Sequence, residues 1–279
     1  MKKILITGAN SYIGTSLEKW LMQNPENYQV DTVDMIGDSW RDMDFSLYDA
    51  VVHVAGIVHQ KEKKENAALY YKINCNLAGE VAQKAKTDGI RQFILLSTMS
   101  VFGVASGVVD NCTIPQPVNN YGRSKLQAEG LVMSYQDESF RVAVIRPPMV
   151  YGRGSKGNYS TLSLFARRLP AFPDIKNERS MIYIENLCLF LQTIIDKCSS
   201  GIFHPQNSKY ICTSDMVRLI AKSHGHHLYM TRMLNPLIKL LRLGVVTKIF
   251  GSLTYSWSLS ADAAIDRFDL ETSVRLTER

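Results

Sequence analysis

Several absences narrow this chain before any motif is read. There is no C-x-x-C pair, because the five cysteines stand apart at 75, 112, 188, 198 and 212. Scattered and odd in number, they exclude a disulfide framework and suit reduced, mostly buried thiols in a cytoplasmic protein. Metal-ligand spacing is missing too: His226 and His227 are adjacent and cannot face one ion from a helix, so a surface role and no metal are expected. No leader is read, since Met1-Lys2-Lys3 runs straight into an apolar strand. No apolar run is clean enough to span a bilayer. The nearest, Leu234 to Tyr255, is interrupted by Lys239, Arg242 and Lys248. It reads as an amphipathic helix packed on the core, with a membrane-surface contact as the lesser alternative. No Lys/Arg block is dense enough for nucleic acid, and Lys61 to Lys64 reads as a solvated loop or helix start. Repeats and low-complexity tails are absent as well.

What is present is ordinary globular material: 279 residues, 46% hydrophobic and 21% charged, with a net charge of +6. A mildly basic surface is either plain solvation or attraction to anionic small molecules such as a dinucleotide or a nucleotide diphosphate. Short apolar runs at 3–7, 30–33, 51–56, 92–97 and 141–146 read as buried strands. Helical spacing falls between them at 13–23, 69–86 and 121–137. This β-α-β alternation predicts an α/β fold with a parallel, doubly wound sheet over 1–150. After Tyr151 the rhythm changes to helical segments at 159–169, 185–197, 214–224 and 234–250. They predict a smaller, mostly helical lobe over 151–279, woven from the C-terminal half and free to interleave with the first part.

Two constellations carry chemistry. The first is Thr7-Gly8-Ala9-Asn10-Ser11-Tyr12-Ile13-Gly14, where a strand meets a glycine turn and then a helix. Backbone N–H groups and a helix N-terminus there can face a pyrophosphate, as in Rossmann-type folds. Ser11 stands where a glycine is usual; its side chain narrows the approach, yet its hydroxyl can donate to a phosphate oxygen. Asp34 ends the next strand and suits the ribose hydroxyls of NAD, whereas Arg41 nearby leaves NADP open. The second is Tyr121-Gly122-Arg123-Ser124-Lys125. Residues four apart share a helix face. An ammonium near a phenol is expected to lower the phenol's pKa and make Tyr121 an acid/base near neutral pH.

With Ser97-Thr98-Met99-Ser100-Val101-Phe102-Gly103 between them, these motifs make the chain resemble the extended short-chain dehydrogenase/reductases of the nucleotide-sugar epimerase/dehydratase family. The resemblance implies Thr98, Tyr121 and Lys125 as the catalytic set. It implies a cofactor, NAD with NADP possible, held by Gly8, Ser11, Tyr12, Ile13, Gly14 and Asp34. Further cofactor contacts would be Asp44 and Phe45 around adenine, the strand end Val54-Ala55-Gly56, Asn74, Ser97 and Pro147. A satisfied polar core residue is an equal reading for Asn74, and Ser97 is read as standing behind the site more than in it. Ser100, Asn158 and Arg179 fall where the family meets its nucleotide-sugar substrate. A homodimer, with helices 69–86 and 121–137 against their mates, and a product for a surface glycan are further implications. Two departures stand out. Met149 replaces a family Asn, and the stretch from Asp34 to His53 is short enough to lack a helix.

The two residues after Thr98 narrow the reaction. The family's dehydratases carry an Asp-Glu pair there, and here the places hold Met99 and Ser100. The first reading is therefore a C4 epimerase of a UDP-hexose or UDP-N-acetylhexosamine, working through a 4-keto intermediate. The alternative is a reductase of a UDP-4-keto-6-deoxyhexose, and a non-catalytic dinucleotide sensor comes third.

Overall fold

Parallel strands buried on both faces need unbroken apolar residues, and the N-terminal part supplies them. A computed structural model describes the chain except residues 59–61, 63, 234, 236–246, 248, 262 and 266. It divides into two compact units. The first comprises Met1–Gly103, Ile114–Pro147 and Leu187–Pro205; the second comprises Val104–Thr113, Pro148–Asn186 and Gln206–Arg279.

The first unit is built on a six-stranded parallel sheet. Its chain order begins with β1 (Lys2–Thr7), α1 (Tyr12–Leu21), β2 (Tyr28–Val33) and β3 (Ala50–His53). A long helical stretch comes next, made of α2 (Ala67–Tyr71), a π turn (Lys72–Asn76) and α3 (Leu77–Thr87). Then come β4 (Gln92–Leu96), α4 (Asn120–Met133) and strands Arg141–Ile145 and Gly201–Phe203. Across the sheet, Gly201–Phe203 lies at one edge, with Arg141–Ile145, β4, β3, β1 and β2 beside it in that order. The register pairs Thr7 with His53, His53 with Leu95 and Leu96 with Ile145, so the C-terminal strand ends share one rim. The chain leaves β1 towards β2 and returns to β3 on the other side. That reversal lies at the rim where β1 and β3 end, and ligands of such sheets are bound at this position.

The short connection from β2 to β3 holds only two 3₁₀ turns, Ser39–Asp42 and Phe45–Leu47, and no α-helix, as its length predicts. Those turns still fill the core: Trp40 and Phe45 are 1% and 0% exposed and join Val81, Ala82 and Ala85 of α3 in one apolar cluster. Burying each ring contributes roughly 2–3 kcal/mol.

In the second unit the structure holds more strand than the spacing reveals. Among the described residues four two-stranded parallel ladders occur, pairing Gly107–Val109 with Leu253–Tyr255, Met149–Tyr151 with Met181–Tyr183, Ala171–Pro173 with Tyr229–Thr231, and Gln206–Asn207 with Ala264–Ile265. Strands of two or three residues carry no readable period. Helices Asn158–Arg168 and Thr213–Ser223 stand within a residue of expectation, and Leu270–Thr277 is an additional one. Most of the segment 234–250 lies outside the described residues, as do 61 and 63 in the Lys61–Lys64 run. All five cysteines are free; Cys75 and Cys188 are buried, but Cys112 is exposed, so burial of the thiols is only partial.

Two histidines of the first unit are folded in neutral. Burial pushes His53 down to about 3, with the Lys125 charge adding, and His204 down to about 4, with Arg146 adding. An unfolded chain protonates both near pH 6.5. Folding stability from this source is complete above that pH and is lost as acid is added towards the folded values. The slope is at most about 1.4 kcal/mol per pH unit for each histidine. Chemical denaturation between pH 7 and pH 5 should show this loss, and His53→Asn with His204→Asn should flatten it.

Candidate active site

The glycine turn is shaped by close approach. Gly8 adopts φ +103°, and a Cβ there would sit 2.8 Å from the Ala55 nitrogen. Its amide and that of Ala9 donate to the Val33 carbonyl at 2.9 and 3.0 Å, which brings the turn down over the sheet rim. A Cβ on Gly14 would meet Ser11 Oγ at 2.6 Å and Val54 Cγ2 at 3.0 Å, so α1 lies directly against the end of β3. Ser11 is the N-cap of α1, and its Oγ accepts from the Gly14 amide at 3.2 Å. The oxygen accepts, which leaves the hydroxyl hydrogen to donate outward, and Tyr12 and Ile13 lie in the half-buried first turn of the helix. This cradle, which side chains would fill, fits a dinucleotide pyrophosphate.

Asp34 comes directly after β2, exposed, with Oδ1 accepting from the Ile36 amide at 3.0 Å. Arg41 is engaged elsewhere: Nε lies 2.9 Å from Asp38, Nη2 lies 2.5 Å from Glu80, and its guanidinium covers the Trp40 ring. Asp44 is exposed and caps its turn through Ser46, which holds its carboxyl below the usual range. Phe45 corrects the expectation. Its ring is fully buried in the core, so it cannot lie against adenine.

The Tyr–Lys helix is placed by glycines. A Cβ on Gly122 would sit 2.7 Å from the Ser100 carbonyl and 2.8 Å from Pro117 Cβ. That contact draws the start of α4 onto the 3₁₀ turn Met99–Phe102, whose N-cap is Thr98. Thr98 then stands near enough to Tyr121 to pull its pKa downward. Thr98 Oγ1 also accepts from the Ser100 amide at 3.1 Å, and Ser100 is exposed beside it. Pro147 is buried at the neighbouring strand end, its carbonyl accepting from the Met99 amide at 2.9 Å.

Lys125 is 3% exposed, and its Nζ donates to the Leu96 carbonyl at 2.9 Å. It passes Gly56, where a Cβ would sit 2.9 Å from Asn74 Oδ1 and 3.2 Å from Lys125 Nζ. Asn74 projects from the π turn and is 0% exposed. Its Oδ1 accepts from the Ile57 amide at 2.8 Å, and its Nδ2 donates to the Ile57 carbonyl and Ser124 Oγ at 3.2 Å each. The satisfied polar reading is therefore the one its contacts match: Asn74 ties the end of β3 to α4. Ser97 likewise turns its hydroxyl away, to Glu129 Oε1.

The electrostatics reverse one expectation. Burial pushes Tyr121 up to about 12, Thr98 pulls against this, and Tyr70 adds to it; Lys125 is not among the groups acting on it. The ammonium donates to Leu96 instead and is itself brought down to about 8 by burial, with Glu129 opposing.

Known proteins resemble this chain in both sequence and fold. The sequence profile of the NAD dependent epimerase/dehydratase family fits residues 4–204. The UDP-glucose 4-epimerase of Vibrio cholerae is 32% identical over 248 residues, 79% of this chain and 75% of that one. The GDP-6-deoxy-D-mannose reductase of Pseudomonas aeruginosa is 30% identical over 57% of this chain and 55% of its own. In structure, the UDP-glucuronic acid 4-epimerase of Bacillus cereus, solved with NAD, superposes with TM-score 0.75 at 19% identity, covering 99% of this chain and 95% of that one.

The chain belongs to the NAD-dependent epimerase/dehydratase family.

It is thus an enzyme of a family that uses NAD or NADP, and solved neighbours of its fold hold NAD or NADPH. The family's substrate positions fall in the second unit. Asn158 opens helix Asn158–Arg168 and is exposed. Arg179 is half-buried and donates through Nη1 to the Gly251 carbonyl at 2.8 Å, and burial holds its pKa below the ordinary value. No helix among the described residues is long and apolar enough to cross a membrane, and none of them form a metal-binding cluster.

Two acids escaped sequence reasoning. Glu62 accepts from the Asn120 and Tyr121 amides at 3.2 and 3.1 Å, beside Asn119, the N-cap of α4. Nothing in a polar loop signals that. Glu129 is buried on α4, and the signal was available, since it lies four residues beyond Lys125 as Lys125 lies four beyond Tyr121.

Gly56→Ala should displace Asn74 or Lys125, lowering stability by about 1–3 kcal/mol and turnover by at least roughly tenfold. Gly130→Ala, with nothing within 4 Å of its Cβ on the same helix as Lys125, should do neither. Melting curves and initial rates of the two variants make the comparison.

Proposed function

We propose that this enzyme is an NAD-dependent epimerase acting at C4 of a UDP-hexose or UDP-N-acetylhexosamine. The observation that carries the reading is the gathering of Thr98, Tyr121 and Lys125 at the sheet rim above the glycine cradle. The similarity to a UDP-glucose 4-epimerase over 79% of the chain supports it. NAD, when bound, supplies reversible hydride transfer at its nicotinamide. The chain's own residues do the rest. Thr98 holds the sugar C4 oxygen. Tyr121 takes the hydroxyl proton as the carbon is oxidised and returns it as the other face is reduced. Lys125 favours the phenolate while that proton is away. Asn158 and Arg179 take the nucleotide diphosphate, Arg179 by charge-assisted hydrogen bonds.

NAD rather than NADP is favoured by two side chains. Asp34 is exposed at the end of β2 and suits ribose hydroxyls. Arg41, the candidate for a 2′-phosphate, is held by Asp38 and Glu80. Asp34→Ala should weaken NAD binding roughly tenfold or more, and Arg41→Ala should leave the NAD preference in place. Fluorescence titration with both cofactors reads this out.

One observation favours reduction of a 4-keto-6-deoxy sugar as a second reading. Tyr121, with its pKa raised to about 12, is a neutral phenol ready to protonate a ketone. The 30% identity to a reductase agrees with it. The deciding experiment incubates the purified enzyme with UDP-glucose or UDP-N-acetylglucosamine and follows the C4 epimer by NMR. It then adds NADH with a UDP-4-keto-6-deoxyhexose and follows absorbance. Epimer formation without net NADH consumption is expected, and Tyr121→Phe should lose at least about a hundredfold in rate while keeping NAD affinity. Sustained NADH oxidation matched to keto sugar, with no epimer from the first substrates, would replace epimerase by reductase.

A further inference from the structure

Helix α4 carries a third buried ionisable side chain on the face of Tyr121 and Lys125. Glu129 is 3% exposed, one turn beyond Lys125. Arg146, 7% exposed at the end of strand Arg141–Ile145, grips it, with Nε 3.1 Å from both carboxylate oxygens and Nη2 2.5 Å from Oε2. Ser97, the residue after β4, donates its hydroxyl to Oε1. Ser97 also stands next to Leu96, whose carbonyl holds Lys125 Nζ. One buried carboxylate is thus paired with Arg146 and stands one helical turn from the buried Lys125.

Among the described residues, the other groups around Lys125 supply no competing buried anion. β3 presents His53, neutral and fully buried. The long helix presents Asn74, uncharged, and Tyr70, whose phenol is raised by burial and Glu62. α4 itself presents Tyr121, raised in the same direction. Glu62 stands exposed on the first amides of α4. Arg146 faces Glu129 from its strand, with the Phe102 ring over its guanidinium. A buried cation short of counter-charge gives up its proton. Arginine does not do so in proteins, so a weakened carboxylate is felt at the lysine.

We propose that Glu129 is a positioning residue for Lys125: fixed by Arg146 and Ser97, its carboxylate is the counter-charge that keeps the ammonium charged on the Leu96 carbonyl. The inference rests on reading Lys125 as part of the catalytic set, so its first readout needs no activity. In NAD-saturated protein labelled with 13C-lysine, the ε-carbon shift of Lys125, assigned with Lys125→Met, is followed against pH. Glu129→Gln keeps the shape and removes the charge. It should lower the Lys125 midpoint by about one pH unit or more and move the alkaline limb of kcat/KM down with it. Arg146→Gln removes the competing cation and should move both up. Should Arg146→Gln melt below the assay temperature, Glu129→Gln decides alone. Opposite shifts from the two halves of one ion pair are not what a merely structural bridge produces. An unmoved Lys125 midpoint in a folded Glu129→Gln protein, with only its melting temperature lowered, would overturn the proposal. A midpoint that moves in a protein without epimerase or reductase turnover would sustain it, and would count against the proposed function instead.

Discussion

The geometry of the first unit turns on one buried ammonium. Lys125 Nζ meets the Leu96 carbonyl at 2.9 Å with the side chain 3% exposed. A charge taken out of water is costly unless it is hydrogen-bonded and paired. The carbonyl is available because β4 ends at Leu96, where the ladder no longer claims it. The path to it is available because Gly56 has no side chain to block Asn74 and Lys125. Asn74 reaches that point because a π turn interrupts the helix between α2 and α3 and adds a residue to one turn. Each local irregularity thus answers one requirement of the same charge.

The same apolar layer solves a different problem where it meets the β2–β3 crossing. A crossover between parallel strands ordinarily brings a helix whose apolar face covers the sheet. Here two 3₁₀ turns make the crossing, and Trp40 and Phe45 cover the surface that helix would have buried. This is why Phe45 cannot serve as a ligand contact while Asp44 beside it stays exposed. The same short crossing places Arg41 over Trp40 and between Asp38 and Glu80. An arginine that holds the crossover to α3 is not free for a phosphate, whereas Asp34 is bound only to the turn it begins.

What could be read from the residues depended on period and chemistry. β1, β3 and β4 are largely apolar runs, and α1, α4 and the helices Asn158–Arg168 and Thr213–Ser223 were found to within a few residues. The glycine turn and the Tyr–Lys spacing located the cradle and the helix face. Strands of two or three residues escaped, because so short a run has neither alternation nor length. The polarity of Tyr121's shift escaped as well. Spacing says that Lys125 shares a face with Tyr121, but not that its ammonium donates to a backbone carbonyl of β4. Asn74 and Ser97 were legible as polar residues in the right place, yet their partners, Ile57, Ser124 and Glu129, are fixed only by packing.

The proton chemistry of the site is a consequence of that packing. Tyr121 in its neutral form, its pKa raised, is a good donor to a ketone and a poor acceptor from an alcohol. Oxidation of a sugar hydroxyl asks for the reverse, a phenolate whose cost is brought down by a nearby cation. Epimerisation needs both states within one visit, so the two must be close in energy. Among the described residues Lys125 is the cation on the same helix face; in the proposed reaction its task is to narrow the gap, and it can do so only while it is charged. Burial works against that charge and Glu129 works for it. Because Arg146 draws on the same carboxylate, the balance between the two phenol states is set by residues behind the helix that touch no substrate. The ease of running the reaction in both directions would then be a property of the Ser97–Glu129–Arg146 cluster as much as of Tyr121 itself.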